Sequence, residues 1–319
     1  MKVAAIDCGT NSIRLLVAKT SEPDEHATRR LRDVARTMRI VRLGQDVDAT
    51  GRFADEALAR TFTACEEFAG IIDSAGVDRL RFVATSATRD AANRDDFLAG
   101  VRDRLHVEPE VISGDEEAAL SFRGAVLGLA DVARARPPYL MVDIGGGSTE
   151  FVLGGDGDTD PHDVVVAARS VDIGCVRMTE RHLRHDPPTG PEIGAAEHDI
   201  DAAIGTAGES VDLAAAGCVV GVAGTVTTLV AAALELSCYD PHRIHHTVLT
   251  RGQVHESART LLGLPRTARA DLPYMHPGRV DVIGGGALVL DRVMRAVRQA
   301  ELVASETDIL DGIALGLCG

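Results

Sequence analysis

Lysine is almost missing from this chain. Of 33 lysines and arginines only Lys2 and Lys19 are lysine. A Walker A loop, which needs its lysine, is thereby excluded, and Schiff-base chemistry has almost no candidate. A source genome biased towards arginine and alanine explains the skew most simply, and the exclusions hold whatever its origin. Cysteine is sparse and unpatterned: the six, at positions 8, 65, 175, 218, 238 and 318, form no C-x-x-C pair. That favours reduced, buried thiols in a cytoplasmic protein. No apolar run reaches the roughly 20 residues that cross a bilayer, and the opening "MKVAAID" reads as a strand rather than a secretory leader. Positive charge is short as well. A formal charge of −15 argues against a broad nucleic-acid-binding face. It leaves room for a small polyanion held in a locally basic cleft, because the field depends on distribution as well as total.

What is present points to two domains. At 319 residues, 45% of them apolar, the chain exceeds what one hydrophobic core usually serves. Residues 2–19 read as two strands joined by a tight polar turn. A third strand is expected near 37–44, after a charged tract, 21–36, taken as a solvated hairpin tip or arm. The segment 54–76 has helical spacing with Gly76 as its stop. "LRFVATSATRDA" reads as a strand running into a helix start, and "VEPEVISGDEEAAL" as a strand, a Ser-Gly turn and a helix. The pattern then restarts at "YLMVDIGGGSTEFVLGG", with later helices near 175–183, 191–204 and 278–299, and a short strand at 301–305. The expected fold class is α/β, as two tandem domains with mixed sheets flanking a cleft. The first spans 1–125 and is completed by a C-terminal helix at 305–319; the second spans 126–304, with a hinge around 123–138.

Two stretches carry the chemistry. "AIDCGTNSIR" and "VDIGGGSTE" each run from an apolar strand through an aspartate into glycine and then small polar residues. A strand–Gly turn–strand hairpin that bares successive N–H groups is a phosphate cradle, because those donors reach anionic oxygens without interference from side chains. The candidates are Cys8, Gly9, Thr10, Asn11 and Ser12 in the first copy, and Gly145, Gly146, Gly147 and Ser148 in the second. Asp7 and Asp143 are placed to hold a cation, and Mg2+ suits carboxylates combined with phosphate oxygens. "HRIHH", 242–246, lacks partners at metal-ligand spacing and reads as a polar loop. "IGGG", 283–286, lies in a helical pattern and reads as close helix packing.

Taken in order, "AIDCGTNSIRLLV", "ATSATRDA", "VISGDEEAAL", "VDIGGGSTEFVLG", "DIGCVRMTER", "GVAGTVTTL" and "ASETDILDGI" resemble the exopolyphosphatase/guanosine pentaphosphate phosphatase family. That family belongs to the hexokinase, actin and heat-shock chaperone superfamily, so the resemblance implies two ribonuclease H-like domains. "SGDEEAAL" places Glu116 and Glu117 where a helix begins. Helical neighbours point about 100° apart, so one of them faces a cleft. The resemblance selects Glu117, the acid before the small residue, as the general base that activates water. It makes Glu150 an active-site acid that orders a metal or its water. Arg89 and Arg177 match family arginines that grip phosphate, with Arg14 a weaker candidate because a strand residue after the turn is free to point away. Thr225 opens a helix after a glycine, another anion site by type.

The resulting expectation is a cytoplasmic, Mg2+-assisted exopolyphosphatase acting on inorganic polyphosphate, as a homodimer, with neither nucleic acid nor membrane as partner. Long family members append helical domains after the core, so a preference for shorter chains is expected here. Three rivals stand beside this reading: a guanosine pentaphosphate phosphohydrolase, a superfamily kinase, and a polyphosphate-binding sensor without turnover.

Overall fold

The computed structural model describes residues 1–20, 31–129, 132, 135–155 and 165–318. Along the chain lie β1 (Lys2–Cys8), β2 (Ser12–Thr20), β3 (Leu31–Ile40), α1 (Val47–Thr50), α2 (Asp55–Ala75), β4 (Arg79–Ala84), α3 (Ser86–Asp90), α4 (Arg94–Leu105), β5 (Glu110–Val111) and α5 (Gly114–Ala125). Then follow β6 (Tyr139–Ile144), β7 (Thr149–Gly154), β8 (Val165–Val171), α6 (Cys175–His182), α7 (Gly190–Gly208), β9 (Cys218–Val222), α8 (Ala223–Ala233) and α9 (Pro241–Ile244). The chain ends with β10 (Val248–Thr250), α10 (Arg251–Gly263), α11 (Arg266–Ala270), α12 (Ile283–Ala296), β11 (Glu301–Ala304) and α13 (Ile309–Gly316). It divides into two compact units, 1–124 with 309–319, and 125–308. Among the described residues no helix is long and apolar enough to cross a membrane.

The first unit carries a five-stranded sheet in the order β3-β2-β1-β4-β5, and the second a six-stranded sheet in the order β10-β11-β9-β6-β7-β8. Each contains an antiparallel meander, β1-β2-β3 in one and β6-β7-β8 in the other, extended by parallel strands from its first member. Both sheets are mixed, as the expected fold class requires. Parallel inner strands are covered on both faces and so read as continuous apolar runs; "YLMVDI" is buried throughout.

Period-two alternation decides which face each functional side chain takes. In β1, Ala4, Ile6 and Cys8 join the core under α2 and α4, where Phe68, Phe82 and Phe97 are fully buried. Val3 and Ala5 face the other way and pack with Leu120 of α5 and Ile309, Leu310 and Ile313 of α13. Asp7 therefore lies on the α5/α13 face and the Cys8 thiol on the other. In β6, Leu140, Val142 and Ile144 enter the large core that contains Met178, Ile200, Leu229, Leu261 and Leu290. Asp143 falls on the opposite face.

Some boundaries differ from expectation. β3 begins at Leu31, so the described part of the charged tract is strand, while 21–30 lie outside the described residues, as do 130, 131, 133 and 134 of the expected hinge. An edge strand needs backbone partners on one side only, and β2 supplies them from Thr20↔Leu31 onward despite the charged sequence. α12 starts at Ile283 because Pro277–Arg279 closes a separate 3-10 turn, with His276 Nδ1 accepting from the Gly278 N–H at 3.1 Å. Gly285 and Gly286 then let α12 approach α6 and α8: added Cβ atoms would lie 2.6 Å from Thr179 Oγ1 and 2.4 Å from Thr225 Oγ1.

α13 is held to the first sheet by two devices. Arg36 of β3 donates through Nη2 to Asp311 Oδ1 at 2.6 Å, with the carboxylate buried. Gly312 lies so close to α5 that a Cβ would sit 1.9 Å from the Leu120 carbonyl oxygen. Because that obstacle is backbone, Gly312→Ala should destabilise the fold by about 1–3 kcal/mol in urea unfolding. Gly316→Ala in the same helix, with nothing within 4 Å of the new atom, should leave the midpoint unchanged or raise it.

Candidate active site

The two glycine loops fold as the same turn. Between β1 and β2 the Gly9 N–H donates to the Ser12 carbonyl at 3.0 Å; between β6 and β7 the Gly145 N–H donates to the Ser148 carbonyl at 3.0 Å. The carbonyls of each loop are tied to a backing segment. Thr10 O accepts from Gly44 N at 2.8 Å, and Asn11 O from Val41 N and Arg42 N at 3.1 and 2.9 Å. In the second loop Gly145 O accepts from Cys175 N at 2.9 Å, and Gly146 O from Val176 N and Arg177 N at 2.9 and 3.1 Å. Arg177 Nε closes the set on Gly147 O at 2.7 Å. A planar trans peptide points its N–H opposite to its C=O. Tying the three carbonyls towards α6 therefore turns the N–H groups of Gly146, Gly147 and Ser148 to the other side, as an anion cradle requires.

Each loop rests on a glycine that sequence reasoning did not single out. A Cβ on Gly44 would lie 2.2 Å from Thr10 Cγ2, and one on Gly174, just before α6, would lie 2.4 Å from the Gly146 carbonyl oxygen. The signal for Gly174 was available in "DIGCVR", a glycine immediately before a helix, but its meaning depends on a loop some thirty residues away. Arg177, expected at phosphate, spends its Nε on bracing the loop. Cys8 turns its thiol into the core, where burial first, then Cys65 and Asp7, push its pKa well up; only its backbone is left for an anion.

The acids are set by strand register. Asp7 stands opposite Arg14, whose Nη2 and Nε donate to Asp7 Oδ2 at 2.7 and 3.0 Å. Arg14 thus turns towards the aspartate, and Asp7, expected to hold a cation, has its charge matched by a guanidinium. In the second sheet Asp143 stands opposite Glu150, and Glu150 opposite Ser170. Asp143 is 7% exposed and Glu150 1%, and Ser170 Oγ donates to Glu150 Oε1 at 2.8 Å. Glu150 occupies the place relative to Asp143 that Arg14 occupies relative to Asp7. One row pairs opposite charges; the other juxtaposes two buried carboxylates.

The Glu116–Glu117 pair divides as helical pitch requires. Glu116 is exposed and bonds to Arg81 Nη2 at 2.8 Å. Glu117 is buried and accepts from Arg89 Nη1 at 2.7 Å, the same nitrogen reaching the Ile112 carbonyl at 3.0 Å. Arg89 and Glu117, both expected functional residues, are thus in direct contact. Thr225 is buried at the start of α8, and its hydroxyl meets the Cys175 thiol, which burial pushes up to about 11 against the opposing pull of Arg279 and of this contact. Its side chain serves the α6–α8–α12 junction, so any anion contact falls to its backbone. In "HRIHH" the His245 Nδ1 accepts from the Glu306 N–H at 3.1 Å and its ring stacks on His246 at 3.7 Å.

Among the described residues no three His, Cys, Asp or Glu side chains are grouped to hold a metal. The donor set of Asp143 and Glu150 is all hard oxygen, which fits Mg2+, an ion bound through one or two carboxylates and completed by substrate phosphate and water. Because α6 seats the cradle through Gly174, Gly174→Ala should displace the loop. In a 1H–15N correlation spectrum the amide signals of Gly146, Gly147 and Ser148 should move, whereas Gly194→Ala, with open space around the new atom, should leave them in place.

Residues 21–318 match the model of the Ppx/GppA phosphatase family. The chain is 49% identical to Exopolyphosphatase 2 of Mycobacterium tuberculosis over 327 residues, covering 100% of this chain and 99% of that protein. The crystal structure of an exopolyphosphatase-like protein superposes with a TM-score of 0.93 at 46% identity, covering 99% of this chain and 98% of that one. A family member from Aquifex aeolicus superposes with a TM-score of 0.79 at 28% identity, covering 100% and 97%. Sequence and fold agree across nearly the whole length, and the chain belongs to the Ppx/GppA phosphatase family.

Proposed function

We propose that this protein is an exopolyphosphatase, which hydrolyses the terminal phosphoanhydride of inorganic polyphosphate and releases orthophosphate. The observation that carries the reading is the buried Asp143–Glu150 pair on the two strands that flank the Gly145–Ser148 cradle, in a chain so close to Exopolyphosphatase 2.

The chemistry divides as follows. Water attacks the terminal phosphorus in line with the bridging oxygen; a P–O bond forms, the anhydride P–O bond breaks, and the shortened chain leaves. Glu117 takes the proton of that water, held in orientation by the Arg89 contact. The amides of Gly146, Gly147 and Ser148 hold the non-bridging oxygens of the phosphoryl group, and the first loop holds phosphate through its own backbone. Transfer through a loose transition state leaves the protein chiefly positioning and charge neutralisation to provide. Asp143 and Glu150 would hold Mg2+, which would supply charge neutralisation at the phosphate oxygens. Asp7, neutralised by Arg14, is assigned to organising the first loop.

A phosphate-release panel with polyphosphate, guanosine pentaphosphate and ATP, with and without Mg2+, tests the assignment. Polyphosphate should be turned over fastest, and chelation should abolish release. Preferred turnover of guanosine pentaphosphate would transfer the assignment to that substrate, and binding of polyphosphate with no turnover under any divalent ion would reduce the protein to a sensor. Glu117→Gln should lose at least about 100-fold in kcat; a folded variant that keeps more than about a tenth of the activity removes Glu117 as the base. Asp143→Asn should raise the Mg2+ concentration needed for half-maximal rate.

A further inference from the structure

Glu150 is one of the most deeply buried acids of the second unit, and its neighbour on the outer side is a serine. Asp143, Glu150 and Ser170 stand directly opposite one another on β6, β7 and β8, so their side chains form one row on one face of the sheet. Ser170 Oγ donates to Glu150 Oε1 at 2.8 Å. The equivalent row of the first sheet is Asp7, Arg14 and Met38, and there the middle residue is a cation that holds its own aspartate. In the second row the middle residue is a second acid. The donor that the row itself supplies is a neutral hydroxyl, which orients a carboxylate and leaves its formal charge in place.

We propose that Ser170 is a positioning residue for divalent-cation binding: its hydroxyl fixes the Glu150 carboxylate without cancelling the charge that the cation requires. The inference rests on the assignment of the cation to Asp143 and Glu150. A glutamate has three rotatable side-chain bonds, whereas Mg2+ demands near-ideal octahedral geometry with oxygens at about 2.0–2.1 Å. A donor that anchors one carboxylate oxygen narrows the orientations of the other. Arginine or lysine at this position would anchor it too, but would compete with the cation for the same charge. Serine meets both demands, and a partner of this kind typically contributes 10–100-fold to metal affinity. β8 is the edge strand and Ser170 is only half-buried, so deleting its hydroxyl removes a hydrogen bond without opening a cavity in the core.

The test is Mn2+ binding to the full chain in the presence of inorganic phosphate, followed by electron paramagnetic resonance. Ser170→Ala should weaken Mn2+ binding by about 10-fold or more, and Ser170→Thr, which restores the hydroxyl, should stay near wild type. In phosphate-release assays Ser170→Ala should raise the metal concentration for half-maximal rate more than it lowers the rate at saturating metal. Wild-type Mn2+ affinity in Ser170→Ala overturns the proposal, as does a Ser170→Thr variant no better than alanine. Failure of the underlying assignment looks different: wild-type Mn2+ binding that survives Asp143→Asn and Glu150→Gln places the cation elsewhere, and the proposal falls with it.

Discussion

Two carboxylates directly opposite each other on antiparallel strands repel, and burial makes the repulsion worse by removing the water that would screen it. β6 and β7 keep such a pair, Asp143 and Glu150, where solvent barely reaches. The neighbours of Asp143 on β6 are Val142 and Ile144, and β7 runs on from Glu150 through Phe151, Val152 and Leu153, so the pair stands against otherwise apolar strand. A local arrangement that opposes stability is expected where function requires it. The hairpin that sets the two acids in register also ends in the Gly145–Ser148 turn, so one short segment delivers both the negative pair and the row of amide donors.

The two units show how one template accommodates two electrostatic roles. Each begins with a strand, a glycine turn closed by an N–H to a serine carbonyl, and a returning strand. Each turn is seated on a closely packed glycine, Gly44 against the Thr10 side chain in one and Gly174 against the Gly146 backbone in the other. The divergence lies in the residue opposite the aspartate. Arginine at position 14 makes a neutral pair; glutamate at position 150, tied by a serine hydroxyl, puts a second acid in the row. In the proposed function an anion would be met by bare amides in the first case, and by amides plus a place for a cation in the second. The backbone geometry is shared, and the charge pattern is not.

The glycine turns were legible in the sequence because the bonds that close them, Gly9 N–H to Ser12 O and Gly145 N–H to Ser148 O, each span only four residues. α2 was legible for the same reason: acids in its first turn, helical spacing of apolar residues, and Gly76 at φ 62 as its stop. That only one of Glu116 and Glu117 points inward follows from helical pitch; the partners that separate them, Arg81 and Arg89, come from distant β4 and α3. What escaped depends on register or on contacts between elements far apart in sequence. Arg14 reads from the sequence as a weaker phosphate candidate, and the β1–β2 register places it on Asp7. Ser170 carries no local signal of its role, which it acquires from β7, and Gly174 announces only the start of a helix, its role coming from the loop it supports. β3 was missed at its start because an edge strand owes its existence to its neighbour's backbone more than to its own apolar residues.

The scarcity of lysine has a structural counterpart. Arginine can serve two acceptors from one rigid planar fork, which an ammonium on a flexible stem does less well. Arg36 binds both Asp33 and Asp311, tying β3 to α13. Arg89 bridges the Ile112 carbonyl and Glu117 through one nitrogen. Arg14 holds Asp7 with two nitrogens, and Arg177 braces the second loop at the Gly147 carbonyl. Resemblance alone would class several of these as hands reaching for phosphate. Their contacts hold the acids and the loop carbonyls still, and the shape of the proposed anion site depends on that. In a site where backbone amides meet the anion, arginine contributes as much by fixing what surrounds the phosphate as by its own charge.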